Sequence, residues 1–130
     1  MDPIADMITS IKNAQAVKKE TVKVSYSKIK HNLALILQKE GFVGDVEKKE
    51  KKNFPPFLII RLKYTESGEP AISGAKKIST PGQRIYIKAR DIGKIKGGYG
   101  RTVIYTPQGL LTDGEAKKQK VGGEHIANIW

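Results

Sequence analysis

A chain of 130 residues has room for one domain or two small ones, and can bury roughly two thirds of the surface its unfolded form exposes. It has no cysteine, which removes disulfides, thiolate metal sites and cysteine nucleophiles, and no apolar run approaches the length of a membrane span. Twenty-four Lys and Arg against 13 Asp and Glu leave a net charge of +11, far more than solubility needs, and point to a polyanion such as nucleic acid or an anionic membrane.

The excess is uneven: residues 1–70 hold 13 bases and 9 acids, residues 71–130 hold 11 bases and 4 acids. The first residues, MDPIADM, carry acids where a secretion signal carries bases, so a soluble intracellular setting is expected. In "DPIADMITSIKNAQ", Asp2 is placed to cap a helix and Pro3 to open it. Ile4, Met7, Ile8 and Ile11 form its apolar stripe, with Lys12 and Asn13 off the stripe. "TVKVSY" (21–26) alternates as a strand. Ser27 then caps a second helix with Ile29, Leu33, Ile36 and Leu37 on its apolar face and Gly41 as its stop. "FVGDVEKK" and "FLIIRLKY" predict a hairpin whose charged connection ends in Pro55 and Pro56.

"ESGEP" (66–70) is the predicted boundary, giving an N-terminal α/β lobe over 1–66 and a β-rich lobe over 67–130. Beyond it, "AISGAKKIS" and "RIYIK" predict short strands around a turn at Thr80, Pro81 and Gly82. "DIGKIKGGYG" is too glycine-rich for a long helix and predicts one helical turn and a loop. "RTVIYT" (101–106) and "GEHIANIW" (123–130) are strand-like. Between them "TDGE" (112–115) is a capping box that opens a short helix ending near Lys120. The expected class is α+β: two small lobes, the first with two helices and a short sheet, the second mainly antiparallel β with a short helix.

Catalytic patterns are sparse. His31 and His125 lack metal-ligand spacing, and "GGYG" lacks the strand–helix context of a dinucleotide loop. The acids are few and scattered, which disfavours a paired-carboxylate site. No enzyme, cofactor or metal is expected. The nucleic-acid signals are stronger. Arg84, Tyr86 and Lys88 alternate, which puts a cation, an aromatic and a cation on one strand face; the alternative is an ordinary solvated face. Lys28 and Lys30 sit where a helix N-terminus prefers acids, so a phosphate would account for them, as would chance surface placement.

The stretch "YTPQGLLTDGEAKKQKVGGE" (105–124), with "STPGQRIY" (79–86), "DPIADMITSIKNAQ", "SKIK" and "KEGF" (39–42), resembles the bacterial form of the small-subunit ribosomal protein S8 family. The likeness covers nearly the whole chain in the same order. It implies two packed α+β lobes and a structural, RNA-binding role on the ribosome. Members of that family bind a stem in the central domain of small-subunit ribosomal RNA and aid subunit assembly. Some repress their own operon's messenger. Neighbouring ribosomal proteins are the other implied partners, with no membrane. The implied location is the ribosome of the cytoplasm, with an organellar ribosome as the alternative. The implied RNA grip falls on Tyr105, Thr106, Pro107, Gln108 and Gly109, supported by Gly122, Gly123 and Glu124. A second patch falls on Pro3, Lys12, Asn13 and Lys30.

The chain departs from the family at that loop. The family's Ser-Thr-Ser-Lys-Gly is here Tyr105 to Gly109, with two hydroxyls and a cation lost, and Pro107 donates no amide hydrogen bond. Gly114 replaces an arginine, and Arg101 stands where the family has a small or apolar residue. Thr106 is expected to keep a central hydroxyl contact, the alternative being a threonine that stabilises the turn. RNA is read by shape, backbone and 2′-hydroxyls, which suits polar turns on a rigid sheet, with Lys117, Lys118 and Lys120 adding positive potential. Glu124 would read a base or 2′-hydroxyl, or orient a neighbour, or merely close a turn. An architectural DNA-binding protein and a hydrolase with an unfamiliar site are the competing classes; no recognition helix with exposed Arg, Asn and Gln spacing supports the first.

Overall fold

The computed structural model describes residues 2–94 and 100–130. They form α1 (Pro3–Ala16), β1 (Thr21–Ser25), α2 (Lys28–Lys39), β2 (Val43–Lys49), β3 (Phe57–Leu62), β4 (Ala75–Lys77), β5 (Tyr86–Ile87), a 3₁₀ turn (Ala89–Lys94), β6 (Arg101–Thr106), β7 (Gly109–Thr112), α3 (Asp113–Gln119) and β8 (Gly123–Ile129). The chain divides into two compact units. Pro3–Ile72 form one, and Ser73–Trp130 with Asp2 form the other. The α+β class with helices in the first unit and most of the sheet in the second is as expected.

In the N-terminal unit, α1 begins at Pro3 and buries Ile4, Met7, Ile8, Ile11 and Ala14, the stripe read from the sequence. Ser27 caps α2, its hydroxyl accepting from the Lys30 amide, and Gly41 follows the helix with φ +83°. Leu33, Ala34 and Leu37 are buried from α2. The sheet order is β1–β3–β2, all antiparallel, so the expected β2–β3 hairpin is present and β1 lies along its other flank. Val24, Val43, Leu58, Ile60 and Leu62 complete this core. At the end of the unit Ala71 and Ile72 are held by backbone and side-chain bonds to Lys63 and Gln15.

In the C-terminal unit, β8 is the central strand. It pairs with β6 on one side and with β4 and β5 in succession on the other, while β7 extends β6. The expected strands "AISGAKKIS" and "RIYIK" shrink to three and two residues. The flanking residues are still tied down, but by single bonds rather than a continuous ladder: the Ile78 amide donates to the Ile126 carbonyl and the Ile85 amide to the Ser79 hydroxyl. Strand β7 was not expected. "TPQG" is a two-residue hairpin connection rather than a loop leading straight to the helix, with Thr106 paired to Gly109. The capping box is formed, with Thr112 accepting from the Glu115 amide and Glu115 accepting from the Thr112 amide. The expected helical turn in "DIGKIKGGYG" is the 3₁₀ turn; the loop expected at 95–99 lies outside the described residues. Ile92, Ile104 and Ala116 form the core here, with Ile87, Leu111 and Val121 packed against it.

Candidate nucleic-acid interface

Adjacent residues on a strand point to opposite faces of a sheet. Ile87 and Ile104 face the core under α3, so Tyr86 and Tyr105 face away from it. Register then sets the site. Tyr86 lies opposite Glu124, and Glu124 lies opposite Tyr105, across β5–β8–β6. Residues opposite one another share a face. The carboxylate therefore sits between two tyrosines. The rings are open, at 72% and 51% exposure, while the Glu124 side chain keeps 14%. Arg84 closes the group, its guanidinium donating to the Glu124 carboxylate at 3.1 Å. Three side chains from three strands and one from the turn before β5 thus gather at one open sheet face.

Two local features make this register attainable. A Cβ on Gly123 would lie 2.1 Å from the Tyr105 carbonyl oxygen, and one on Gly122 would lie 2.4 Å from that of Ile87. The glycine pair lets β5 and β6 close on β8 from both sides. Ser79 holds the turn that carries Arg84. Its buried hydroxyl accepts from the Ile85 amide at 2.9 Å and donates to the His125 carbonyl at 2.8 Å. The turn itself is pinned by reciprocal backbone bonds between Thr80 and Gln83. Ser79 was not singled out from the sequence, because a serine in "IST" gives no sign of backbone partners on two separate segments.

At the hairpin tip Pro107 and Gln108 are exposed. Thr106 is not: it is 3% exposed, donates to the Gly109 carbonyl at 2.9 Å and accepts from the Gln108 amide at 3.0 Å. Its hydroxyl is engaged in the turn, and its side chain lies on the face opposite Tyr105. Lys117, Lys118 and Lys120 are exposed on or just after α3, which packs on the Ile104 face. The cation beside Glu124 is therefore Arg84, forty residues away, rather than the lysines nearest in sequence. Lys88 is exposed just past Tyr86, as the alternation predicted.

The N-terminal candidates are spread out. Pro3, Lys12 and Asn13 are exposed on α1, but Pro3 and Lys12 lie nine residues apart. That is about 14 Å along the axis and half a turn out of phase. Lys30 is 8% exposed, and its amine donates to the Ser25 hydroxyl at 2.6 Å, which ties α2 to β1. Its methylene stem suits such a site, since long cationic side chains bury their stems readily.

Among the described residues the remaining titratable groups stand in scattered pairs. His31 meets Tyr26 edge-on at 5.8 Å, and the His125 ring bonds Asn128 at 2.8 Å. Among the described residues no three His, Cys, Asp or Glu side chains could hold a metal. The Lys49 amine, by hydrogen bond and charge, holds the Glu47 carboxyl below its usual range, and the hydrogen bond from Lys48 to Glu50 raises the lysine. Both are exposed pairs along β2 and its end, open to water rather than enclosed in a reaction site.

The chain is thus strongly basic and α+β, with an aromatic, cationic and carboxylate cluster on an open sheet face. The family model for ribosomal protein S8 matches residues 2–130, and this chain belongs to that family. Among its relatives are small ribosomal subunit protein uS8 from Persephonella marina, 45% identical, with 99% of this chain and 98% of the relative covered. Those of Exiguobacterium sibiricum and Geobacillus kaustophilus are 49% and 46% identical, with 99% of this chain and 97% of each relative covered. The family is one of ribosomal structural proteins, not of enzymes.

Proposed function

We propose that this chain is a primary RNA-binding constituent of the small ribosomal subunit, which grips a stem in the central domain of the subunit's RNA and supports assembly. The observation that carries the reading is Glu124 held between Tyr86 and Tyr105 with Arg84 on its carboxylate. The exposed tyrosines offer ring faces to a ribose or base. The carboxylate accepts from a 2′-hydroxyl or a base amino group, and Arg84 meets a phosphate. Pro107 and Gln108 reach the shallow groove from the hairpin tip, while Thr106 and the glycine pair shape the surface from within.

The lobe that carries this grip is residues 67–130, and residues 1–66 form the α/β lobe. Pro3, Lys12 and Asn13 add a weaker backbone contact, and Lys30 is better suited to holding α2 on β1. The setting is the cytoplasmic ribosome beside other small-subunit proteins. A stem of the same shape in the chain's own operon messenger would compete for the same face and repress translation. The test is binding to a ribosomal stem across a salt series. If on the order of four to six phosphates are neutralised, affinity falls log-linearly by about a hundredfold or more from 50 to 200 mM salt. A flat response, or equal binding to duplex DNA of the same length, refutes the reading in favour of non-specific or DNA binding.

A further inference from the structure

The three-stranded sheet of the N-terminal unit has a second face. Val24, Leu58 and Ile60 point to the helices and are buried, so Lys23, Phe57 and Ile59 point outward. Over the end of this outer face runs a groove of about 460 Å³, walled by Lys23, Lys51, Phe54, Pro55, Pro56 and Phe57. Its volume is that of a small-ligand site. The groove is built rather than loose. The Pro56 carbonyl accepts from the Tyr26 amide at 3.1 Å, and the Phe54 amide donates to the Lys51 carbonyl at 3.1 Å.

Its chemistry is sharply divided. The Lys23 amine stands 4.2 Å from the centre of the Phe57 ring, and that of Lys51 stands 5.9 Å from it. Phe57 thus holds two cations near its ring, where the ring quadrupole attracts them. Phe54, at 67% exposure, leaves its ring open to solvent. No carboxylate lines the groove. The fitting ligand carries a flat apolar group beside a negative charge. Pro55 and Pro56 offer a peptide backbone no amide N–H, whereas a base needs only a ring face on which to stack.

We propose that this groove holds an unpaired nucleotide of single-stranded RNA, the base stacked on Phe54 and its phosphate between Lys23 and Lys51. The site is separate from the stem-binding face and does not depend on it. It gives the N-terminal unit a single-strand contact of its own, at a place the S8-like sequence motifs do not mark.

The experiment uses the full chain and a fluorescein-labelled ten-nucleotide oligoadenylate. Ring resonances of Phe54 and Phe57 are followed by NMR, and affinity by anisotropy. The oligonucleotide is expected to shift both rings. Phe54→Ala should weaken binding about tenfold, the scale of one lost stacking contact, and Phe54→Trp should restore it. An oligonucleotide of the same length with abasic positions should bind the natural chain as weakly as the intact one binds Phe54→Ala. The ring is solvent-exposed, so the melting temperature of Phe54→Ala should stay within about 2 °C of the natural chain's. Unmoved ring resonances, or equal affinity of Phe54→Ala and the natural chain, overturns the proposal. So does the case in which an acidic, phenylalanine-containing peptide moves those resonances and RNA does not, which assigns the groove to a protein partner.

Discussion

Replacing Glu124 by Gln separates recognition from simple electrostatics, because the two give opposite signs. The change keeps size and one acceptor oxygen but removes a charge, taking the net charge from +11 to +12. If charge alone governs, every RNA binds as tightly or more tightly. The structure gives the carboxylate a specific place. It is fixed by Arg84 at 3.1 Å and flanked by Tyr86 and Tyr105, with its side chain 14% exposed. An RNA donor at that oxygen makes a charge-assisted hydrogen bond worth about 1.5–3 kcal/mol, against about 0.5–1.5 kcal/mol for the neutral amide. A loss of about 1–1.5 kcal/mol raises Kd for the matched stem roughly five- to tenfold. The fold itself loses little. Arg84 is half exposed, so the ion pair contributes at most about 1 kcal/mol, or a melting shift of about 2–4 °C. Anisotropy titrations with the ribosomal stem and with a scrambled hairpin, beside a melting curve, check this. Weaker binding to the stem with equal or tighter binding to the scrambled hairpin is the expected pattern. Equal tightening of both RNAs refutes a specific role for the carboxylate. A lower melting temperature with both affinities reduced in parallel leaves it only a part in holding Arg84 and its turn.

Two further substitutions probe the scaffold beneath the same face. Thr106→Val removes a donor and an acceptor from a hydroxyl that closes the hairpin turn, so it should cost about 1–2 kcal/mol of stability, read as a lower melting temperature. Stem affinity should fall with it; lost affinity at unchanged melting would instead mean a direct RNA contact by the hydroxyl. Gly123→Ala places a methyl group against the Tyr105 carbonyl, which only a backbone shift can relieve. It should destabilise the chain by at least about 2 kcal/mol and blunt stem recognition, and a variant that melts like the natural chain would show that β6 and β8 do not close as described.

The helices were legible because their instructions are local. Pro3 and the Ile4, Met7, Ile8, Ile11 stripe mark α1, Ser27 marks the start of α2, and Thr112 with Glu115 marks that of α3. Each signal spans no more than about two turns. The β2–β3 hairpin was legible for a related reason, since two alternating apolar runs flank one charged connection. Strand β7 was not, because "GLLT" is four residues between two turn signals and only its pairing with β6 makes it a strand. Lys30 illustrates the same limit. Its helix position suggested a phosphate ligand, and only the placement of β1 beside α2 supplies Ser25 as the partner for its amine.

Charge, absence of cysteine, the family motifs and the glycine pair can all be read along the chain without knowing any contact between distant residues. They suffice for an α+β class, a polyanionic partner and a stretch, 105–124, dense in turns. The arrangement of that stretch is a matter of cross-strand register. Tyr86, Tyr105 and Glu124 share a face because β5 and β6 meet β8 at one level, and Arg84 reaches Glu124 because Ser79 pins a turn forty-six residues away in sequence to the His125 carbonyl. A one-residue slip would turn each of these side chains to the other face. No local propensity encodes that choice. It comes from closing non-local backbone hydrogen bonds over an apolar core, and it puts Glu124, one of four acids in residues 71–130, at the centre of the proposed recognition site.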